Sequence, residues 1–287
     1  MSDSAYLGKV RMLDNLHSRI FVAKWTKIRP SRWRLKNVQD TYWRFYLNKT
    51  DGAFLELNNS DSDSNQRESY PLLGGRAYFI PAGVRFDTNI LLEVDHFFVH
   101  FDVLGVPDVV MRTIFNSPIC LPPSERLRQA VSEISGDEAA PEQVDLILEC
   151  RVKAIIYEGL VLYLQTLPPE QIKQPLEMAI TLKPVLPAIN HINTNLSHSL
   201  FNRDLAELCQ MNEDYFIRRF KECMGQTPGD YIREQRVKLA AQKLLFTADS
   251  IEQIAAVSGF GSRFYLSRVF KNSVGLSPAA YRKASRV

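Results

Sequence analysis

The sequence has 287 residues, 45% of them hydrophobic, which is enough for two domains with cores of their own. Its formal net charge is only +3, and no uninterrupted apolar run reaches the length of a membrane-spanning helix. The N-terminal segment MSDSAYLGKV lacks an apolar signal core, so these features predict a cytoplasmic protein and argue against a membrane protein.

Positive charge is concentrated towards the C-terminus. From Pro184 onward there are 14 Lys and Arg against 9 Asp and Glu, an excess of 5, whereas the remainder holds 21 against 23. A basic excess of this kind is typical of a segment that contacts nucleic-acid phosphates.

The cysteines indicate a reducing compartment. Cys120, Cys150, Cys209 and Cys223 are widely spaced, form no CxxC pair and show no metal-ligand spacing. We therefore predict reduced, mostly buried thiols in a cytosol.

From about Arg19 to Val103 the pattern is typical of β-structure. The aromatic stretch Thr41–Leu47 predicts a strand, Asp51-Gly52 predicts a turn, and Ala53–Leu57 predicts the hairpin partner of that strand. A further strand is predicted over Val94–Val103. Many short strands bounded by Gly and Pro favour a small barrel or sandwich.

Helical sequence follows the strands. Gly136 to Pro141 predict a break before a long helix, which is predicted from Glu142 to Leu167. This helix has a broad apolar face that includes Ile147 and a second apolar strip on another side. The second strip consists of Leu146, Cys150, Ala154, Tyr157 and Val161. We expect the first face to pack on the strands, while the second either pairs with another subunit or is buried within one chain. Pro168-Pro169 ends the helix, and the stretch 168–183 is the predicted linker.

The last third of the chain contains one pattern twice. FIRRFKECMGQTPGDY, which begins at Phe216, aligns with LSRVFKNSVGLSPAAY, which begins at Leu266. Each copy predicts a short helix with two inward apolar residues, a glycine that ends it, and a Ser/Thr-Pro pair that begins the next helix. Such a repeat predicts two copies of one supersecondary unit.

The second copy has an outer face that suits DNA. Gly259 and Gly261 predict a turn and Ser262 an N-cap, while Leu266 and Phe270 lie on the inner side of the helix. A basic and hydrogen-bonding outer face suits the major groove. The residues on that face are Arg263, Phe264, Ser267, Arg268 and Lys271.

The region from about Pro184 to Arg282, including IEQIAAVSGF, RVFK and GLSPAAYR, resembles the DNA-binding domain of the AraC/XylS family of bacterial transcription regulators. The resemblance implies an all-α domain of two helix-turn-helix units, with double-stranded DNA as the partner. A supporting helix is predicted over Asn202–Cys209, with Leu205 and Leu208 inward, before a recognition helix that begins after Asn212. Ser250 and Gln253 have the capping-box spacing for the second supporting helix. The predicted joining helix, Pro228–Leu245, is about 27 Å long at about 1.5 Å per residue. Since a turn of B-DNA is about 34 Å, two recognition helices can enter successive major-groove segments.

By this resemblance, Arg263, Phe264, Ser267 and Arg268 match positions that the family uses for base contacts. In the first unit the matching positions are Asp214, Ile217 and Arg218. Asp214 either accepts a hydrogen bond from cytosine or pairs with Arg218 at i, i+4, and the second interpretation is preferred. For Lys221 and Lys271, phosphate contact and a solvated position near a helix C-terminus fit equally well.

The order of the N-terminal strands resembles, more loosely, the cupin-like sensor domain common in this family. The resemblance implies a small-molecule effector, and aromatic faces with hydrogen-bonding groups suit a sugar. The candidate effector-binding residues are Trp43, Arg44, Phe45, Arg85 and His100. For His100, a hydrogen-bonded strand position in or near the barrel interior is preferred over ligand contact.

A metal site is not expected in this barrel. His96 and His100 share a face of the predicted strand but lie about 13 Å apart at about 3.3 Å per residue. Two ligands of one metal cannot be so far apart, because each lies about 2 Å from it. Phe86 also stands where metal cupins often place a histidine. We therefore predict no cofactor and no enzymatic activity.

The predicted fold class is α+β. Residues 1–167 are expected to form a cupin-like β-barrel with a helical dimerisation segment, 168–183 a linker, and 184–287 the double helix-turn-helix domain. The predicted function is that of a sequence-specific DNA-binding transcription regulator, a homodimer controlled by a small molecule. The alternatives are a metal-dependent cupin enzyme fused to a DNA-binding domain and a DNA-repair protein with a cysteine alkyl acceptor, against which the scattered cysteines argue.

Overall fold

A computed structural model describes residues 16–58, 67–134 and 143–284. The chain divides into an N-terminal and a C-terminal unit between Ile172 and Lys173, with Pro107–Val110 grouped with the C-terminal unit. The division falls inside the stretch 168–183. The N-terminal unit is built on antiparallel sheets and the C-terminal unit is helical.

Two antiparallel sheets form the N-terminal unit. The strands are β1 (His17–Ile28), β2 (Trp43–Asn48), β3 (Ala53–Asn58), β4 (Arg67–Leu72), β5 (Ala77–Ile80), β6 (Phe86–Ile90), β7 (Val94–Leu104) and β8 (Ile119–Cys120). The larger sheet has the order β1-β7-β2-β5-β8, and the smaller sheet has the order β4-β3-β6.

The predicted hairpin between Thr41–Leu47 and Ala53–Leu57 is wrong. In the structure β2 pairs with β5 and β7, whereas β3 pairs with β4 and β6 in the other sheet. The Asp51-Gly52 turn therefore passes the chain from one sheet to the next. Gly52 makes this possible because its φ of 125° is a conformation that side chains with a Cβ rarely adopt.

The two sheets enclose a shared apolar core. It contains Tyr46, Tyr78 and Ile80 from the larger sheet together with Leu55 and Phe86 from the smaller one. Because successive side chains of a strand point to opposite faces, the neighbours of these residues lie on the other side of the larger sheet.

The outer face of the larger sheet is covered by an aromatic layer and by helices. Trp43 contacts Phe79, Phe101 and Phe115 edge-on or tilted, with ring centroids 5.0–6.3 Å apart. A Cβ at Gly159 would lie 2.7 Å from the Phe79 ring, so the helix that carries Gly159 packs closely on this layer. The covering helices are α1 (Asp108–Ile114), α2 (Glu125–Ser132) and α3 (Gln143–Leu164).

Helix α3 is apolar on two sides, as its sequence predicts. Val152, Ile155 and Ile156 are buried. On another side Leu146 is 68% and Val161 49% exposed. Ile147 was assigned to the inner face, and this is wrong because its side chain is 59% exposed. The predicted break before this helix, Gly136 to Pro141, lies outside the described residues, within which no helix is long and apolar enough to cross a bilayer.

The stretch predicted as a linker, 168–183, is largely helical. Helix α4 (Pro169–Leu182) begins at the second proline, since proline is tolerated in the first turn of a helix. Pro175 lies inside the same helix. Pro168-Pro169 therefore ends α3 and also begins the next helix.

Seven further helices form the C-terminal unit within the described residues. They are α5 (Leu186–Thr194), α6 (Asn202–Leu208), α7 (Glu213–Met224), α8 (Pro228–Phe246), α9 (Ile251–Val257), α10 (Arg263–Val274) and α11 (Pro278–Ala284). Two separate apolar cores lie along α8. Its first half, with Tyr231 and Ile232, packs with α5, α6 and α7, and its second half, from Val237 to Leu244, packs with α9, α10 and α11.

Candidate nucleic-acid interface

Helices α6 and α7 form the first helix-turn-helix. Asn212 caps α7, and its side-chain oxygen accepts a hydrogen bond from the Tyr215 amide at 2.9 Å. Phe216 and Phe220 anchor α7, since both are fully buried and their rings contact each other at 5.6 Å. Gly225 ends the helix at a φ of 72°, as the sequence predicts.

Helices α9 and α10 repeat this arrangement. Ser250 and Gln253 form the predicted capping box of α9, and Ser262 caps α10 through a hydrogen bond from the Tyr265 amide. Leu266 and Phe270 are fully buried in the second core. The predicted caps and inward residues of the second copy are therefore confirmed.

Helix α8 joins the two motifs. Thr227 caps it and Pro228 occupies its first turn, as predicted. Its 19 residues give a length of about 28 Å at about 1.5 Å per residue. A single helix thus connects the two helix-turn-helix motifs.

The supporting helix of the first motif differs in one detail from the prediction. Leu205 is buried as expected, but Leu208, also assigned to the inner side, is 45% exposed. Ala206 fills the core beside Leu205 instead. Because α6 has only seven residues and ends at Leu208, its last side chain projects beyond the packed face.

The residues singled out on α10 lie on one outer face. Arg263, Phe264 and Arg268 are exposed, Phe264 by 73% of its side chain, and Lys271 is exposed near the C-terminal end. Ser267 is partly buried. Phe264 and the exposed cations beside it therefore form one mixed apolar and basic face of α10.

Two arginines of this face are held by aromatic rings. The Arg268 guanidinium lies 5.4 Å from the centre of the Tyr265 ring, and that of Arg263 lies 4.9 Å from the Phe264 ring. Tyr265 was not among the predicted site residues. Its position one turn before Arg268 was the signal that could have found it, because residues three apart on a helix are neighbours.

The outer face of α7 is less basic. Arg218 and Lys221 are exposed, and so is Asp214 in the first turn. The preferred pairing of Asp214 with Arg218 is wrong, because within the described residues these side chains form no ion pair. The ion pair on this helix joins Arg219 to Glu222 at 3.1 Å. Asp214 lies near the helix N-terminus, where a carboxylate is favoured by the helix dipole.

The predicted effector residues do not share one surface. Arg44 lies on the inter-sheet face, with its guanidinium 5.2 Å from the Phe86 ring of the smaller sheet. Its strand partner His100 contacts Phe98 of the same face, with ring centroids 4.8 Å apart. Arg85 is exposed and donates a hydrogen bond to the Gln39 side chain at 2.9 Å.

Trp43 and Phe45 lie on the opposite face of the larger sheet. Both belong to the aromatic layer under the helices, where Phe45 contacts Phe79 and Phe97. Their grouping with Arg44 is therefore corrected. The two-residue period of a strand was the signal that separates them, since adjacent residues cannot line one pocket.

The inter-sheet face contains a buried polar cluster. Arg44 forms an ion pair with Asp40 and donates a hydrogen bond to the Tyr42 hydroxyl at 3.2 Å. His96 is bonded through Nδ1 to the Asn48 side chain at 2.7 Å. Burial lowers the pKa of His96 to about 3, so this histidine is neutral in the folded protein at neutral pH. Burial also lowers the pKa of His100, and the Arg44 charge adds to the shift.

The histidine pair has no metal-site geometry. The Phe98 side chain contacts both rings, stacked on His96 at 5.8 Å between centroids and tilted on His100 at 4.8 Å. Among the described residues, no group of three or more His, Cys, Asp or Glu is placed to hold a metal ion.

The C-terminal unit has relatives among known proteins. A family model described as "Helix-turn-helix domain" matches residues 205–284. The MmsAB operon regulatory protein of Pseudomonas aeruginosa is 32% identical over 82 residues, and a putative AraC-like transcription regulator of Streptomyces antibioticus is 31% identical over 99 residues. The chain carries an AraC-type helix-turn-helix domain.

The match to these relatives is partial. It covers 29% and 34% of this chain, and 27% and 33% of the respective relatives, so the chain spans about a third of their length. Among solved structures, the DNA-binding domain of AdpA in complex with a target DNA is 31% identical. It matches 36% of this chain and 93% of that chain, with a TM-score of 0.35. The AraC-type domain contains all the α7 and α10 residues described above.

Proposed function

We propose that the protein is a sequence-specific DNA-binding transcription regulator. The observation that carries this proposal is the repeated recognition helix: α7 and α10 are each anchored by two buried apolar residues and each present an exposed arginine two residues after the first anchor. These arginines are Arg218 and Arg268. An arginine at the centre of an exposed helix face can pair bidentately with a guanine edge in the major groove.

The remaining outward residues have supporting roles in this proposal. Arg263 and Ser267 bond base edges or phosphates, and Phe264 contacts a thymine methyl group. Lys221 and Lys271 contact phosphates, which adds affinity without sequence preference. Asp214 is the exception: its negative charge makes base reading by α7 weaker than by α10.

We further propose that residues 1–167 form a cupin-like sensor, with 168–183 as the linker and 184–287 as the DNA-binding domain, in a cytoplasmic protein. The two facing sheets and their buried polar cluster support the sensor. Arg44 and His100 remain the effector-contacting candidates. The Arg44 guanidinium, which donates to Asp40 and to the Tyr42 hydroxyl through Nη2, is the charged group that could recognise a polar ligand such as a sugar.

Helix α3 supports the proposal of a homodimer. Its exposed strip contains Leu146 and Val161, which lie 15 residues apart on one side of the helix. Two such strips packed against each other across a twofold axis would remove both from water.

The two enzyme alternatives have less support. In the N-terminal unit His96 bonds the Asn48 side chain and stacks on Phe98. The pair His96 and His100 therefore does not form an open set of metal ligands. An alkyl acceptor needs a thiolate, yet burial raises the pKa of Cys209 and of Cys223.

The test is selection of bound sequences from a random duplex library by the full chain, followed by footprinting on the genome with and without candidate sugars. We expect one enriched motif with two recognised segments about one helical turn apart. Recovery of unrelated sequences with equal affinity would contradict a sequence-specific regulator.

A further inference from the structure

Two recognition helices can read one DNA site only if the angle between them is fixed. Helix α8 sets their separation, but the two apolar cores along it share no residue. Long helices bend and curve, so α8 alone does not fix the orientation of one motif relative to the other. Direct contact between the motifs is needed to hold it.

Such a contact surrounds Arg236, which lies on α8 between Ile232 of the first core and Val237 of the second. Its guanidinium donates from Nε to the Leu196 carbonyl at 3.0 Å and from Nη2 to the His198 carbonyl at 2.7 Å. Both carbonyls belong to the loop between α5 and α6. Arg236 therefore ties the joining helix to the first motif.

The second motif reaches the same point through Gly259. This residue lies in the turn between α9 and α10 at a φ of 76°. A Cβ there would overlap the Leu196 carbonyl oxygen and would lie 2.6 Å from Arg236 Nε. The backbone of the second motif thus packs directly on the carbonyl and guanidinium that hold the first. We call Leu196, His198, Arg236 and Gly259 the inter-motif joint.

The joint continues into the recognition helix α10. Tyr265, in the first turn of α10, packs edge-on against Phe260, the residue that follows Gly259, with ring centroids 5.8 Å apart. The same Tyr265 ring lies under the guanidinium of Arg268. A chain of contacts therefore runs from the α5–α6 loop to the outward arginine of the second motif.

We propose that Arg236 is a positioning residue that fixes the orientation of α10 relative to α7, and thereby the spacing of the two DNA segments that the protein accepts. This inference rests on the proposed DNA-binding function. Arg236 itself contacts no base in this proposal. Its effect is on the range of spacings between the two DNA segments that the protein binds tightly.

The experiment uses the full chain and a duplex selected by the wild-type protein. In a matched series, one or two base pairs are inserted or deleted between the two recognised segments. Each base pair turns the second segment by about 34–36° and shifts it by about 3.4 Å. We expect wild-type affinity to fall about tenfold or more per step, because base contacts in one segment are lost.

Arg236→Ala should flatten this profile. We expect it to bind the whole series within about threefold, since a mobile second motif can follow the displaced segment at the cost of affinity on the original duplex. Arg236→Lys keeps the charge and one donor, so its profile should lie between the two. If Arg236→Ala fails to fold, Arg236→Lys alone still tests the inference.

Arg282→Ala is the matched control. Arg282 also donates to two backbone carbonyls, Leu244 at 3.2 Å and Asp249 at 2.6 Å, but both belong to the second motif and its connection to α8. Its loss should lower the melting temperature about as much while the spacing profile stays as in the wild type. That result would separate positioning from general stability.

Three outcomes would overturn the inference: a wild-type profile that is already flat, an Arg236→Ala or Arg236→Lys profile identical to a steep wild-type one, or equal flattening in Arg282→Ala. Failure of the wild-type protein to enrich any motif would instead contradict the proposed function. The two failures are therefore distinguishable.

Discussion

At the scale of single residues, Arg268 should contribute more to specificity than Arg218. Both are exposed at equivalent positions, but the Arg268 guanidinium is placed over the Tyr265 ring and so loses less freedom on binding. We expect Arg268→Ala to cost about 1–3 kcal/mol on the selected duplex while non-specific binding is spared. Fluorescence anisotropy on selected and random duplexes measures both.

Arg233→Ala is the control for this prediction, because Arg233 pairs with Asp230 on α8 and has no part in the proposed interface. It should leave the ratio of specific to non-specific affinity unchanged. Equal losses on all duplexes after Arg268→Ala, with a salt slope lower by about one, would mean that Arg268 contacts phosphate only.

A second residue-scale prediction concerns His96. Its pKa is about 3 in the folded protein against an ordinary value of 6.5, so between these values the unfolded chain binds more protons. Stability that is present above pH 6.5 is therefore lost as pH falls, by up to about 1.4 kcal/mol per unit. Denaturant unfolding of the full chain from pH 7.5 to pH 5 should show this decline.

His96→Gln should make the decline shallower, because an amide does not titrate and can still bond Asn48. The lowered pKa of His100 preserves part of the slope. His17→Gln changes an exposed side chain instead and serves as the control. An unchanged slope in His96→Gln would show that His96 does not carry the effect.

At the scale of elements, the sequence predicted local features better than long-range ones. The caps Ser262, Asn212 and Thr227 depend on residues within one turn, and all three were readable. The pairing of β2 depends on residues 30 or more positions away, and the local turn at Asp51-Gly52 gave the wrong partner. The inter-motif joint was hidden for the same reason, because Leu196 and Gly259 are distant in the chain.

The candidate site shows the same contrast. The outer face of α10 followed from helical spacing alone, whereas the predicted effector set mixed two faces of one strand. That error was avoidable, because strand alternation already separates Trp43 from Arg44. No local sequence signal predicts the contact of Arg236 with the α5–α6 loop, so only the folded structure reveals it.

The prediction at the scale of elements concerns dimerisation through the exposed strip of helix α3. Leu146→Glu combined with Val161→Glu places charges in the exposed strip, and desolvating them in a dimer interface is unfavourable. Sedimentation of the full chain at micromolar concentration should show a dimer for the wild type and a monomer for the double variant. Ile180→Glu, which alters an exposed apolar residue of α4, should remain dimeric. A monomeric wild type would contradict the homodimer.

At the scale of the whole molecule, the proposed function assigns sensing to the N-terminal unit and DNA binding to the C-terminal unit. The buried pair of Arg44 and Asp40 is expensive to desolvate, and apolar packing in its place would often be at least as stable. Its retention between the sheets, beside His100 and Tyr42, therefore favours a role in ligand recognition.

We expect the binding of an effector to depend on the inter-sheet face alone. A screen of sugars by thermal shift on the full chain should yield at least one stabiliser, since a ligand at about 100 times its Kd adds about 2.7 kcal/mol. Arg44→Lys and His100→Gln should abolish the shift, whereas Trp43→Phe, on the opposite face, should retain it. A shift that survives both inter-sheet variants would locate the ligand elsewhere, and the absence of any stabilising sugar at millimolar concentration would exclude that class. We expect Arg44→Lys and His100→Gln to be the variants that abolish the shift. The reason is that the Arg44 guanidinium points from the larger sheet towards Phe86 of the smaller one, where a ligand between the sheets would lie.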